Sequence, residues 1–284
     1  VRFAKLESLG NDFILIEGDA RPRDFGALVR AICDRKRGVG GDGVLLVLPG
    51  DADADTGMDA RVAARVEIWN ADGSEAAISG NGTRCAARWL ASHRAAANRP
   101  DNADAVDVVV SMRAKCLSVS VPRSLDGGIR VPLGEPRFEP ASVPMRADGE
   151  RFVEAKLDGV PLAITALSVG NPHAVLFVDG PVAASRLGPV IESHPAFPER
   201  TNVEFVRVAA PDRLIVVIWE RGVGPTASSG TGAAAAFAAA VVTGRASRRA
   251  TVEMEGGSVA VGWDESGVWT EAPAREVFAG EWPS

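Results

Sequence analysis

Ser79-Gly80-Asn81-Gly82-Thr83-Arg84-Cys85-Ala86-Ala87-Arg88-Trp89-Leu90 sets a small polar residue and two glycines directly before a helix-forming run. The pattern returns 150 residues later as Ser229-Gly230-Thr231-Gly232-Ala233-Ala234-Ala235-Ala236-Phe237. The same shift of 150 carries Val66-Glu67-Ile68-Trp69-Asn70 onto Val216-Val217-Ile218-Trp219-Glu220 without a gap. A shift of 160 carries Ser8-Leu9-Gly10-Asn11 onto Ser168-Val169-Gly170-Asn171, and one of 159 carries Val44-Leu45-Leu46-Val47 onto Val203-Glu204-Phe205-Val206. Blocks that keep their order with one small length change mark an internal duplication. Two unrelated glycine turns would not bring their flanking strands with them.

Outward from these turns, apolar alternation and β-branched runs predict strands near Arg2–Leu6, Phe13–Glu17, Val44–Val47, Arg65–Trp69, Val106–Val110 and Cys116–Val121. A second series is expected at Leu162–Ser168, Ala174–Val178, Val203–Val208, Leu214–Trp219, Ala250–Met254, Ser258–Val261 and Glu276–Ala279. Helical periodicity covers Phe25–Arg35, Gly82–Ser92 and Gly232–Val242, and the Gly, Pro and Asp-rich stretches 49–59, 97–104, 133–149 and 244–248 read as loops. Many strands and few helices in 284 residues predict two compact, β-rich α/β units.

The composition narrows the function classes. An apolar fraction of 46%, a charged fraction of 24% and a net charge of −6 suit a globular protein and argue against nucleic acid, since no Lys/Arg run stands out. Cys33, Cys85 and Cys116 lie far apart, suit a reducing compartment, offer no zinc spacing and read as packing residues. The first strand lacks the apolar stretch of a signal peptide. The longest apolar run, Ala233–Val242, has ten residues, whereas a spanning helix needs about 20. A cytoplasmic protein with no membrane partner is expected. Gly38-Val39-Gly40-Gly41-Asp42-Gly43 matches a dinucleotide fingerprint by letter but lies between a helix and a strand, the reverse of the required order. Asp51-Ala52-Asp53-Ala54-Asp55 lacks the glycine and the glutamate that a calcium loop needs at Thr56 and Val62. No metal and no cofactor is expected.

A Ser-Gly-x-Gly turn that opens a helix presents unpaired backbone N–H groups at the positive end of the helix dipole, where carboxylate or phosphate oxygens bind. Ser79 and Ser229 can equally be plain N-caps, and the duplication is what favours a shared small-molecule site. Nearby side chains suited to amino and carboxyl groups are Asn11, Asn70, Asn171, His173, Asn202, Glu220 and Arg221. Taken singly, a loop asparagine is a turn residue and His173 a structural histidine.

Gly10-Asn11-Asp12-Phe13, Gly38–Gly43, Asn70-Ala71-Asp72-Gly73-Ser74-Glu75, Gly80-Asn81-Gly82-Thr83-Arg84-Cys85, Gly170-Asn171-Pro172-His173, Glu220-Arg221-Gly222 and Gly230-Thr231-Gly232 together resemble the diaminopimelate epimerase family over nearly the whole chain. The resemblance implies an α+β fold of two pseudo-symmetric domains, each a curved, mostly antiparallel sheet around a central helix. The expected boundaries are 1–123 with 273–284, and 124–272. It also implies an isomerase: a PLP-independent, two-base epimerase of lysine biosynthesis that converts LL- to meso-diaminopimelate and forms a homodimer. The implied substrate contacts are Asn11, Asn70, Gly80, Asn81, Gly82, Asn171, Asn202, Arg221, Gly230, Thr231 and Gly232.

The two catalytic positions of the family are cysteines, and here they are Ser79 and Ser229. A thiol titrates near 8.5 and falls further at a helix N-terminus, whereas an alcohol starts far higher. His173 and Glu220 are the candidate partners that could activate the serines. Cys85 lies nearly two helical turns from Ser79 and is not expected to substitute. The main reading is an epimerase with weak or absent turnover in this form. Also open are a superfamily isomerase or dehydratase using Glu220 or His173, a serine hydrolase with Ser229 as nucleophile, and a non-catalytic amino-acid-binding protein.

Overall fold

The computed structural model describes residues 1–49, 63–76, 79–94, 104–112, 115–180 and 184–283. Most of the loops expected at 49–59 and 97–104, with the aspartate run at 51–55, lie outside the described residues. The chain divides into two compact units, Val1–Val131 with Ala272–Ser284, and Pro132–Glu271.

The first unit runs β1 (Arg2–Ser8), β2 (Asn11–Glu17), α1 (Phe25–Cys33), β3 (Gly43–Pro49), β4 (Ala63–Asn70), β5 (Glu75–Ala76), α2 (Gly80–His93), β6 (Ala105–Met112) and β7 (Lys115–Pro122). After β8 (Ile129–Gly134) the second unit repeats the plan. Its elements are β9 (Thr165–Ser168), β10 (Pro172–Phe177), α3 (Ala184–Glu192), β11 (Asn202–Ala210), β12 (Arg213–Glu220), β13 (Gly224–Thr226), α4 (Gly230–Val242), β14 (Arg249–Met254), β15 (Gly257–Asp264) and β16 (Gly267–Ala272). The last strand, β17 (Arg275–Glu281), joins the first sheet beside β1.

Pairing carries the duplication. The first sheet is ordered β17-β1-β2-β3-β4-β6-β7 and the second β9-β10-β11-β12-β14-β15-β16-β8, with β5 on β4 and β13 on β12. In both, the second and third strands of the repeat are parallel and the flanking pairs antiparallel. The register matches too: Val44 faces Trp69, and Val203 faces Trp219.

Each sheet is covered on both faces, which explains why its central strands read as apolar runs rather than as alternation. Val44 and Leu46 pack with Phe25, Val29 and Ile32 of α1, and Val203 and Phe205 pack with Ile191 of α3. The other face receives α2 or α4. In α4, Gly230–Ala240 are all buried, and the alanines keep the helix thin enough for the strands to wrap it.

Several elements escaped the sequence reading. Helix α3 carries Pro189 inside it. Strand β8 contains Pro132 and is tolerated because it lies at a sheet edge. Strand β16 is buried almost throughout and shows no alternation. The short β5 and β13 are products of tertiary pairing. Cys33 and Cys85 are buried as expected of packing residues, but Cys116 is exposed on β7, which corrects that reading. Among the described residues no helix is long and apolar enough to cross a membrane.

Candidate active site

The two serines adopt one geometry. Ser79 (φ −147°, ψ 120°) and Ser229 (φ −148°, ψ 125°) sit in extended backbone as N-caps. Ser79 Oγ accepts from Gly82 N at 3.0 Å and Ser229 Oγ from Gly232 N at 3.1 Å. The helix ends lie close on their sheets: a Cβ on Gly82 would stand 3.2 Å from Leu45 Cδ2, and one on Gly232 would stand 3.1 Å from Glu204 Oε1. With the cap spent on the third residue, the remaining first-turn N–H groups point out of the helix end, the arrangement that receives an anion.

In the first unit, Asn81 Nδ2 donates to Asn11 Oδ1 at 2.6 Å, and Asn11 Nδ2 donates to Asp42 Oδ2 at 3.1 Å. Arg35 holds Asp42 at 2.6 Å and Asp12 at 2.7 Å, and buried Lys5 meets Asp12 at 2.6 Å. Burial opposes the Asp12 charge, yet the hydrogen bonds and charges of Arg35 and Lys5 outweigh it and bring its pKa down to about 2. Arg84, fully buried, donates to Asn81 Oδ1 at 2.7 Å and to Ile129 O at 3.2 Å. Asn70 is exposed, and its amide closes the Asn70–Ser74 turn on Ser74 Oγ. Cys85 is fully buried, and burial pushes its thiol pKa up, so it cannot stand in for a base at position 79.

In the second unit, His173 is fully buried. Its Nδ1 lies 2.7 Å from Glu204 Oε1 and its Nε2 lies 2.9 Å from Asn171 Oδ1. Asn171 Nδ2 donates to Thr231 Oγ1 at 3.4 Å, and Thr231 Oγ1 lies 3.4 Å from Ser229 Oγ. The turn that carries Glu220 and Arg221 is pinned from below. Asn202 Oδ1 accepts from Arg221 N at 2.9 Å, Asn202 Nδ2 donates to Pro172 O at 2.9 Å, and Glu192 Oε1 accepts from Gly222 N at 2.8 Å. Glu192 also takes the Trp219 indole N–H at 2.7 Å. Burial disfavours its charge, but these hydrogen bonds prevail and lower its pKa. Arg221 is exposed and donates to Glu199 O.

Each unit therefore gathers its own part of the expected set: Asn11, Ser79, Gly80, Asn81 and Gly82 in one, Asn171, His173, Ser229, Gly230, Thr231 and Gly232 in the other. Glu204 and Glu192 went unnoticed in the sequence. The signal for Glu204 was available, since the duplication aligns this charge with Leu45 in a core strand.

A protein-family model described as diaminopimelate epimerase matches residues 3–137 and 165–274. A diaminopimelate epimerase from Desulforudis audaxviator is 42% identical over 293 residues, covering 99% of this chain and 99% of that protein. Among solved structures, a predicted epimerase from Pseudomonas aeruginosa superposes with a TM-score of 0.70 at 16% identity, covering 100% and 99% of the two chains. A hydroxyproline epimerase from Agrobacterium vitis, bound to trans-4-hydroxy-L-proline, gives 0.66 at 16% identity over 98% and 91%. The structural likeness extends to the fold; the sequence match runs through both halves of the repeat and both glycine turns. By that match the chain belongs to the diaminopimelate epimerase family.

Proposed function

We propose that the protein is a cofactor-independent epimerase acting on LL- and meso-diaminopimelate. The observation that carries the proposal is the pair of matched, capped helix starts at Ser79 and Ser229, the positions where the family resemblance places its two bases. In a two-base reaction one group removes the α-proton and the other returns a proton from the opposite face. The substrate carboxylate is held by N–H groups of the glycine turns, and Asn11, Asn70, Asn171, Asn202 and Arg221 hold the remaining amino and carboxyl groups. Glu220 is the direct acid–base partner, and His173 acts on the Ser229 helix start through Asn171 and Thr231. The proposal extends to a cytoplasmic homodimer.

Serine makes the reaction slow. A hydroxyl at a helix start accepts a cap hydrogen bond well, but its pKa is so high that even the favourable dipole yields little alkoxide at neutral pH. The hydrolase alternative has less support. Its nucleophile and base need a direct hydrogen bond, whereas His173 spends both ring nitrogens on Glu204 and Asn171.

The test is incorporation of solvent deuterium at the α-carbon of diaminopimelate. The protein should exchange slowly, and the Ser79→Cys/Ser229→Cys double variant should exchange at least about 100-fold faster, because a base whose pKa approaches the working pH is the more effective one. Absence of exchange in both forms sinks the proposal.

A further inference from the structure

The two units provide an internal control for one feature. Under the α4 start lie His173 on β10 and Glu204 on β11, both fully buried and 2.7 Å apart. At the equivalent places under the α2 start, by the shifts of 160 and 159, lie Phe13 and Leu45. Leu45 meets Gly82 as Glu204 meets Gly232, so the two side chains occupy the same place beneath their helices. The fold is satisfied there by two hydrocarbons. Burying a carboxyl and an imidazole instead is costly, and the cost is only partly offset, because Glu204 Oε2 is buried with no hydrogen-bond partner among the described residues.

We propose that Glu204 is a positioning residue: it grips His173 through Nδ1 and thereby turns Nε2 toward Asn171 and the Ser229 helix start. The inference rests on the reading of His173 as part of the active site. The proton inventory supports it. Asn171 Oδ1 can only accept, so Nε2 carries a hydrogen; one further proton lies between Nδ1 and Glu204 Oε1. Burial raises the Glu204 pKa, which favours keeping that proton within the pair. With its oxygen held by Nε2–H, the Asn171 amide presents its NH2 to Thr231 Oγ1, beside Ser229 Oγ. Ring orientation is thus passed to the helix start through side chains of one unit. A carboxylate behind a histidine sets tautomer and orientation in this way elsewhere.

The test uses the protein labelled with 15N-histidine. The sequence has three histidines, and His173→Phe assigns the ring of interest. The His173 Nδ1 proton should be strongly deshielded, and Glu204→Gln should abolish that signal. In the deuterium-exchange assay Glu204→Gln should lower kcat about 10- to 100-fold with KM within about twofold, the size of effect that loss of a ring-orienting partner has in metal sites. The double variant His173→Phe/Glu204→Leu copies the pair of the first unit; it should fold, be at least as stable as the parent, and lose exchange. An unchanged His173 spectrum in Glu204→Gln, an unchanged kcat, or full exchange by the double variant overturns the proposal. The spectrum does not depend on turnover. A parent protein and a double-cysteine variant that never exchange deuterium therefore count against the epimerase reading alone.

Discussion

Ser79 and Ser229 each hold a helix start together, and a residue suited to that task is poorly suited to carrying negative charge. The serine oxygen accepts a backbone N–H in a bond that a thiol makes less well. Ser79→Ala and Ser229→Ala should each lower stability by about 1 kcal/mol, read as a shift of the urea midpoint at unchanged slope. The double cysteine variant should then gain exchange rate and lose stability together. A variant that gained both would show that the caps contribute little. The serines and the glycines were legible in the sequence because the repeat presented them twice, and among the asparagines the same holds for Asn11 and Asn171. Glu204 was marked only by its alignment with Leu45, because Val203-Glu204-Phe205-Val206 taken alone reads as a strand with one polar, solvent-facing position, and a helix on each face is a tertiary fact. Glu192 was hidden for a related reason. Its helix contains Pro189, and its partners, the Trp219 indole and Gly222 N, lie about 30 residues away.

Between elements, the cluster of Lys5, Asp12, Arg35 and Asp42 ties β1 and β2 to the segment that follows α1 and leads into β3. It also fixes Asn11 through Asp42. Asp12 has a folded-state pKa of about 2 against an ordinary 3.8. A carboxyl depressed in the folded state stabilises fully above its unfolded pKa, and the contribution is lost as pH falls through the folded one. Acidification from about pH 4 to about pH 2 should therefore cost about 2 kcal/mol from this residue. Asp12→Asn should be less stable at pH 7, and its denaturation midpoint should fall less over that interval. Parallel curves for the two proteins would assign the acid sensitivity elsewhere. The sequence marked Asp12 and Asp42 as parts of motifs, but that Lys5 and Arg35 converge on them depends on the parallel pairing of β2 with β3.

At the scale of the molecule, the duplication decides the architecture, and β17 is the departure from it. It extends the first sheet beyond β1, with Phe278 against Phe3 and the Val1 amino group donating to Trp282 O. A chain ending at Ala274 should keep the Arg88 bond to Ala274 O but expose the outer edge of β1. Hydrogen exchange of the β1 amides should then rise by more than tenfold while β10 to β12 stay protected; uniform loss of protection would mean that the units unfold as one. The pattern of two similar sheets was readable from the repeated blocks. The assignment of β8 to the second sheet and β17 to the first was not, because neither strand belongs to the aligned blocks and each is placed by what it pairs with.

The pairing of β1 with β17 also sets an order of events during synthesis. The second unit, Pro132–Glu271, is continuous in the chain and can close as soon as it emerges. Strand β1 is made before the second unit, yet its outer neighbour, Arg275–Glu281, follows that unit. At about 5–20 residues per second, translation leaves that edge unpaired for roughly a quarter of a minute to a minute. For that interval the nascent protein carries an open strand that the finished one covers, and codon speed or chaperone supply over the second unit would act on the yield of the first.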